Sequence, residues 1–229
     1  MRLDPPSRMG SSSRGSSSAA RRDGHVTFSD PSHKGRTVYE NSLATPGDVK
    51  GFRMESRRGP DEGQAANIVF WCDQPMPDRV CISWEFYPLR EPGLCILFFA
   101  AKGCRGEDVF DPALAPRHGP YQQYHNSDIN ALHVSYFRHK QPHERAFTTC
   151  NLRKSRGFHL VALGGDPLPC VADATPPYRI EVVKDGPLVR FGIAPPGEQQ
   201  ILPCIEWTDD GRTYGDILQG GHIGFRQMA

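Results

Sequence analysis

The stretch YHNSDINALHVSYFRHKQPHERAFTTCNLRKSRG, residues 124–157, carries the strongest structural signal in this sequence. Its two runs of alternating β-branched and aromatic residues, separated by a charged turn, are typical of a β-hairpin. The stretch also holds four histidines, four arginines, two lysines, two tyrosines and three asparagines, more polar groups than sheet packing requires. We expect such a hairpin to line a groove for a polar ligand. The alternative is a solvated outer face covered by long side chains.

The first strand of this hairpin is predicted to have two mixed faces. One face is expected to carry Leu132, Val134, Tyr136 and Arg138, and the other Ala131, His133, Ser135 and Phe137. Because His133 and Tyr136 fall on opposite faces, they share a groove only where a bulge intervenes. The loop residue His125 is therefore the better partner for Tyr136.

The remainder of the chain consists of short strand-like runs between turns, which favours an all-β sandwich or barrel. The chain has 229 residues, among them 23 Gly and 21 Pro. Residues 80–87 alternate cleanly, with Trp84 on the core face and with Glu85 and Tyr87 on the other. Residues 94–101 are apolar on both faces, as expected for a central strand that is buried on two sides.

Residues 102–130 form a long irregular insertion that contains two tyrosines and two histidines. Long loops inside compact domains are functional or disordered, and the aromatic content argues against disorder. We expect this insertion to form one wall of the groove. Its acidic residues Glu107, Asp108 and Asp111 are candidate ligands of a structural calcium ion. Their spacing lacks a calcium-loop signature, so a solvated acidic turn is favoured.

Composition excludes several classes of protein. The formal net charge of +1 provides no general attraction to nucleic acid or membranes. Seven cysteines without a CxxC pair predict reduced thiols in a cytoplasmic protein and argue against a zinc site. No window is apolar for long enough to span a membrane or act as a signal peptide. Residues 1–35, rich in Ser, Arg and Gly, predict a disordered leader, and they lack the amphipathic face of a transit peptide.

Seven segments resemble the bacterial YesU family. They are FWC (70–72), PGLCILFFAA (92–101), RGEDVFDPAL (105–114), DINALHVSYFR (128–138), ERAFTTCNLRKSRGFHL (144–160), DPLP (166–169) and IGFRQMA (223–229). The resemblance covers residues 37–229 and implies a concanavalin A-like fold, a two-sheet antiparallel jelly roll whose concave sheet commonly holds carbohydrate. The type member of the family is associated with pectin and rhamnogalacturonan utilisation, which implies a sugar ligand. Family members continue past the last segment into one more strand, so we expect an edge strand to be missing here.

These observations together predict one sandwich domain, residues 36–229, that binds an acidic oligosaccharide and cleaves it by β-elimination. That reaction needs cations that neutralise a uronate carboxylate, and groups that move two protons. The candidate catalytic residues are Tyr136, His125 and Arg138. The candidate substrate-binding residues are Glu85, Tyr87, Tyr124, Asn130, His133, Arg145, Asn151, Arg153 and Lys154.

Two other functions fit the same residues. A lectin-like protein that binds sugar without turnover uses the same aromatic rings and polar donors. A retaining glycoside hydrolase needs two carboxylates about 5 Å apart. Glu85 has no partner acid on its own strand, so residues 107–111 are the expected source of a second carboxylate.

Overall fold

The structure of the protein is a computed structural model. It describes residues 2–4, 28–29, 35–41, 50–56 and 58–228; side chains are not described up to residue 52 or at residues 55, 142 and 145. The predicted disordered leader therefore lies outside the described residues, except at positions 2–4, 28–29 and 35.

Nearly all the regular structure is β-strand. The described strands are β1 (Arg2–Asp4), β2 (Phe28–Ser29), β3 (Gly35–Asn41), β4 (Lys50–Ser56), β5 (Ile68–Cys72), β6 (Val80–Phe86), β7 (Leu94–Gly103), β8 (Ile129–Tyr136), β9 (Thr149–Ser155), β10 (His159–Gly165), β11 (Tyr178–Asp185), β12 (Leu188–Ala194), β13 (Leu202–Thr208) and β14 (His222–Met228). The described helices are one α-helical turn, α1 (Gln122–His125), and the 3-10 helices Pro60–Ala66, Pro142–Arg145 and Val171–Asp173. None of them is long and apolar enough to cross a membrane.

The strands form two antiparallel sheets and a separate ribbon made by β3 and β4. The smaller sheet has the order β1-β6-β11-β12-β13, and the larger has the order β10-β9-β8-β7-β14-β5-β2. The two sheets pack face to face, so the predicted two-sheet antiparallel jelly-roll sandwich is confirmed. The predicted hairpin, β8 and β9, lies in the larger sheet.

The main hydrophobic core lies between the sheets. Alternation along each strand directs every second residue into it, including Ile82 and Trp84 from β6 and Leu132, Val134 and Tyr136 from β8. Trp84 is therefore a core residue, as its position in the alternating run predicts.

The opposite face of the larger sheet, which we call the covered face, packs against the long insertion. A second apolar cluster joins Ile96 and Phe98 of β7 to Val109, Leu114 and Tyr124 of the insertion. The strand β7 is thus buried on both sides, as its continuous apolar sequence predicts. The insertion therefore packs over this face of the larger sheet.

Strict alternation in β8 stops at Phe137, where φ is 48°. This left-handed backbone conformation is uncommon for a residue with a side chain, and it places Phe137 in the core directly after Tyr136. The N–H of Phe137 donates to Asp166 Oδ2 at 2.6 Å, which holds the backbone in place. Arg138 consequently turns to the covered face. The predicted faces of Phe137 and Arg138 are therefore both wrong.

Candidate functional site

Two neighbouring rows of paired residues cross the covered face. In strand order from β5 to β9, the first row is Val69, Arg226, Ile96, Ser135 and Asn151, and the second is Trp71, Gly224, Phe98, His133 and Arg153. The register therefore brings two arginines from distant parts of the sequence to one surface, on either side of an aromatic floor.

Aromatic rings from the insertion lie over this floor. The ring of Tyr124 stacks on Phe98 with centroids 5.5 Å apart, and the imidazole of His133 lies 5.4 Å from the same phenyl ring. His125, at the end of α1, stacks on Phe158 at 4.1 Å. Burial lowers the pKa of His125, and the positive charge of nearby arginines adds to this effect. The predicted residues Tyr124, His125 and His133 therefore meet on one face.

His133 links two hydroxyl groups. Its Nδ1 lies 2.7 Å from the hydroxyl of Tyr121, and its Nε2 lies 2.9 Å from Oγ of Ser155. The imidazole is 1% exposed, and burial lowers its pKa well below the ordinary value, with the charge of Arg153 acting in the same direction. A neutral imidazole has one donor and one acceptor nitrogen, so His133 can pass a proton between the two hydroxyl groups.

Arg138 lies at the rim of the covered face and is held by protein acceptors. Its guanidinium donates to Glu144 Oε1 at 2.9 Å and to Thr149 Oγ1 at 3.0 Å. With its amide oriented to satisfy both polar atoms, Asn151 accepts from the same guanidinium at 3.0 Å. The side chain of Arg145, another candidate from the sequence, lies outside the described part of the chain.

Within the part of the chain that the structure describes, Arg153, unlike Arg138, is held by contacts with Phe158 and not by an ion pair. Its guanidinium lies 4.0 Å from the ring centroid of Phe158, and it donates to the carbonyl oxygen of Phe158 at 3.2 Å. None of the ion pairs among the described residues joins Arg153 to a carboxylate. This half-buried cation is the predicted substrate-binding residue that the structure places best for contact with an anion.

Arg226 was not predicted from the sequence. It lies on β14 and is 1% exposed, with its guanidinium carbon 4.8 Å from the ring centre of Tyr121 and 5.2 Å from that of Tyr124. None of its three side-chain nitrogens has a hydrogen-bond partner within the described residues. Burial lowers its pKa to about 10, which leaves it charged at neutral pH. An arginine inside the apolar run of a strand was the only sequence signal for this residue.

Tyr136, predicted as a catalytic residue, lies elsewhere. It is 2% exposed in the core between the sheets, where its ring packs against Trp84 at 5.7 Å and Phe86 at 5.4 Å. Because the covered face is on the other side of β8, Tyr136 and His125 cannot act on one ligand. The tyrosine that does meet histidine on the covered face is Tyr121.

Lys154 also points away from the covered face. On β9 it lies directly opposite the core residue Leu132 of β8. Its Nζ lies 2.6 Å from Asp209 Oδ2 and 2.8 Å from the carbonyl oxygen of Gly215. Both charged groups of this pair are nearly fully buried. Lys154 is therefore a structural cation that joins β9 to the loop after β13, and the structure does not bring it together with the candidate residues of the covered face.

Glu85 and Tyr87 belong to the smaller sheet. Glu85 is exposed and lies on β6 directly opposite Arg179 of the neighbouring strand β11. Its carboxylate accepts a hydrogen bond from the hydroxyl of Tyr87 at 3.3 Å. The whole core separates them from the covered face, so they do not join the hairpin residues. The same separation keeps Glu85 apart from the acidic insertion, so the expected pair between Glu85 and a carboxylate of residues 107–111 does not form.

The acidic residues of the insertion are engaged in separate contacts. Glu107 pairs with Arg105 at 2.6 Å, Asp108 with His222 at 2.9 Å, and Asp111 accepts from the N–H of Ala113 at 2.8 Å. No group of three or more metal-ligating side chains comes together within the described residues.

A cavity of about 390 Å³ opens beside the end of the covered face. Its lining includes Arg105, Glu107, Asp128 and Arg156. The predicted residue Asn130 lies next to it, where its Oδ1 accepts from the backbone N–H of Arg156 at 3.1 Å. Asn130 thus supports this cavity wall and does not reach the floor around His133.

Comparison with known proteins places the fold in a family. The family described as a domain of unknown function, DUF1961, matches residues 36–229. The uncharacterized protein YesU of Bacillus subtilis (strain 168) is 52% identical over 206 residues, which are 86% of this chain and 91% of that protein. These matches confirm the resemblance indicated by the seven sequence segments.

Solved structures agree with the sandwich. A Bacillus subtilis protein of unknown function with a galectin-like fold has 47% sequence identity and a TM-score of 0.72, over 89% of this chain and 92% of that chain. The carbohydrate-binding module CBM66 from Bacillus subtilis has 10% identity and a TM-score of 0.43, over 84% of this chain and 86% of that chain. The second similarity is too low to support any argument about a ligand.

Proposed function

This chain belongs to the DUF1961 family, a domain of unknown function, and we propose that it binds an acidic, pectin-type oligosaccharide on the covered face of its larger sheet. One observation carries the proposal. Arg153 and Arg226 lie among aromatic rings on this face without a carboxylate partner among the described residues. Aromatic faces pack under sugar rings, and guanidinium groups bind carboxylates with paired hydrogen bonds.

The accessible part of the site is its rim. The side chain of Arg138 is 21% exposed, and Arg153 and Phe158 are half-buried beside it. A uronate unit at this rim can reach Arg153 with its carboxylate and pack against the edge of Phe158, because the two faces of that ring already contact His125 and Arg153. The net charge of the chain is only +1, so this recognition is local.

Calorimetric titration with oligogalacturonides, rhamnogalacturonan oligosaccharides and neutral galactan oligosaccharides tests this proposal. We expect the acidic ligands to bind and the neutral ones to bind at least about tenfold more weakly, which is the worth of one charge-assisted hydrogen bond. The variant Arg153→Ala should lose affinity. The control Arg190→Ala removes an exposed arginine from the smaller sheet, where it pairs with Glu206 at 2.7 Å, and should bind as the native protein does. Equal affinity for neutral and acidic sugars, or equal losses in both variants, would contradict the proposal.

The contact between Tyr121 and His133 favours a second function, cleavage of the bound glycan by β-elimination. A base removes the proton on the carbon next to the carboxylate, the bond from the β-carbon to the glycosidic oxygen breaks, and a carbon–carbon double bond forms. The leaving oxygen takes a proton, so no other reactant is needed. Tyr121, 2.7 Å from the neutral imidazole of His133 and close to arginine charges that oppose the rise of its pKa by burial, is suited to exchange these protons.

Ultraviolet absorbance of the new double bond separates the two functions. With oligogalacturonides, an elimination enzyme generates absorbance, a hydrolase generates reducing ends alone, and a lectin-like protein generates neither. We expect Tyr121→Phe to retain binding and lose turnover. The control Tyr87→Phe, on the opposite sheet, should retain both. Binding without absorbance in the native protein would leave the lectin-like function and exclude elimination of these substrates.

A further inference from the structure

We propose that Arg226 and Asn67 form the carboxylate-binding floor of the site, in the deepest part of the covered face. This inference rests on the proposed function and names the residues that hold a further carboxylate of the acidic oligosaccharide, deeper than the one at Arg153. Neither residue belongs to the hairpin of β8 and β9.

The state of Arg226 is unusual for a structural arginine. Its side chain is among the largest fully buried side chains of the described residues, yet all three nitrogens lack an acceptor within that part of the chain. Buried charges are normally paired, because removing an ion from water costs free energy that a partner must offset. Methionine or leucine would fill the same space without that cost. The unpaired buried charge therefore points to an anionic ligand as its partner.

The tyrosines beside Arg226 stabilise the charge without using its donors fully. The guanidinium carbon lies 4.8 Å from the ring of Tyr121 and 5.2 Å from the ring of Tyr124. A ring face attracts a cation, but it does not provide the two in-plane acceptors that the guanidinium fork fits. A carboxylate does provide them. The tyrosines thus keep the charged group in place and leave its donors available.

Asn67 provides a second unpartnered group on the same surface. Within β5, Val69 pairs directly with Arg226, and Asn67 precedes it by two residues, so alternation puts both on one face. Asn67 is fully buried, and neither its Oδ1 nor its Nδ2 has a partner in the described part of the chain. An amide offers both a donor to a carboxylate and an acceptor to a sugar hydroxyl.

A ligand reaches this floor only when the segment above it moves. Tyr121 and Tyr124 belong to the short segment around α1, which is held by two backbone contacts outside the helix. Tyr121 N donates to Gln64 Oε1 at 2.6 Å, and Gly157 N donates to the carbonyl oxygen of His125 at 2.9 Å. An entering uronate must shift these two hydrogen bonds, together with the hydrogen bond of Tyr121 to His133 and the stacking of Tyr124 on Phe98.

The test is the variant Arg226→Met, measured for both stability and affinity. Methionine keeps the unbranched shape and removes the buried charge, so we expect a midpoint of urea unfolding equal to or above that of the native protein. Affinity for oligogalacturonides should fall by about a hundredfold, because two charge-assisted hydrogen bonds are lost. Asn67→Leu should weaken binding in the same direction. Arg226→Lys keeps the charge without the fork and should bind with intermediate affinity.

The control Arg190→Met removes an exposed arginine that pairs with Glu206; it should keep the native affinity and lower the midpoint of urea unfolding only slightly. If native protein binds oligogalacturonides and Arg226→Met binds them within twofold, Arg226 does not hold the carboxylate, although the proposed function stands. If Arg226→Met unfolds at a lower urea concentration, the arginine is a structural cation and the inference fails. If native protein binds no acidic oligosaccharide, the proposed function itself fails, and that result does not depend on any variant.

Discussion

Lys154 and Asp209 show what a buried ion pair does in this fold. Their charged atoms lie 2.6 Å apart at the edge of the sandwich, and both side chains are nearly inaccessible to solvent. The pair connects β9 to the loop that follows β13. Its geometry predicts a large effect on stability and none on ligand binding.

We expect Lys154→Met to destabilise the protein by about 3–5 kcal/mol, since it leaves the carboxylate of Asp209 buried without its counter-ion. Urea unfolding monitored by tryptophan fluorescence measures this loss. Breaking the exposed pair between Arg190 and Glu206 with Arg190→Met is the control, and should cost at most about 1 kcal/mol. A loss for Lys154→Met as small as that of the control would contradict the structural role.

The directions of side chains along β8 could be predicted from sequence only in part. The alternation rule placed His133 and Tyr136 on opposite faces of β8, and this is observed. It did not indicate which face meets the ligand, and Tyr136, which was expected in the groove, lies in the core. The rule failed one residue later, because the positive φ of Phe137 depends on a contact with Asp166, 29 positions away. No local pattern encodes such a contact. The placement of Arg138 was wrong for the same reason.

Among the elements, β10 and β13 make the closest contact between the two sheets. A side chain at Gly164 of β10 would overlap the carbonyl oxygen of Cys204 in β13 and press on Ile205. At the adjacent position, Gly165, an added Cβ meets nothing within 4 Å. The two glycines therefore separate the effect of close packing from the general effect of glycine in a strand.

The variant Gly164→Ala should destabilise the protein by about 1–3 kcal/mol, because the sheets must move apart at this edge. Gly165→Ala should be neutral or slightly stabilising, since alanine restricts the unfolded chain. Equilibrium unfolding in urea compares the pair. Equal effects of the two substitutions would show that the strands can separate there without cost.

The sequence predicted individual strands better than it predicted which strands lie side by side in a sheet. The alternating run of residues 80–87 forms β6, and the continuous apolar run of residues 94–101 forms the central strand β7. Which sheet a strand joins depends on pairing between distant segments, and no periodicity reports it. That is why Glu85, on β6, was assigned to a groove that its sheet does not reach.

At the scale of the whole molecule, stability should depend on pH through His133. Its imidazole is neutral in the fold because burial lowers its pKa, whereas the unfolded chain has the ordinary pKa of 6.5. Below that pH the unfolded state takes up a proton that the folded state excludes. The stabilising contribution is therefore complete above pH 6.5 and is lost as the pH falls.

The difference in unfolding free energy between native protein and His133→Gln should consequently change by up to about 1.4 kcal/mol per pH unit between about pH 6 and 5. Urea titrations at several pH values measure it. Asp166, whose pKa is raised by burial, contributes with the opposite sign, but it is present in both proteins and cancels. His143→Gln, which alters an exposed histidine, should show the same change of unfolding free energy with pH as the native protein. The same change in His133→Gln would contradict the neutral imidazole.

The overall architecture was predictable, and the assembled site only in part. Turns, alternation and the resemblance to the YesU family indicated a jelly-roll sandwich, and the long insertion does cover the face that carries His133. Arg226 and Tyr121 were missed because they come together only through the order of strands in the larger sheet. A residue that is distant in sequence from the hairpin had no local signal linking it to His133.

The position of β14 has a consequence for synthesis of the protein. The final described strand inserts between β7 and β5, so a nascent chain that has not yet emerged as far as residue 222 leaves one edge of each of these two strands without hydrogen-bond partners. The larger sheet can therefore close only after translation of that segment. Until then the ribosome-bound chain exposes two unpaired strand edges, which can pair with other chains and aggregate. We expect a chaperone that binds unfolded chains to protect them.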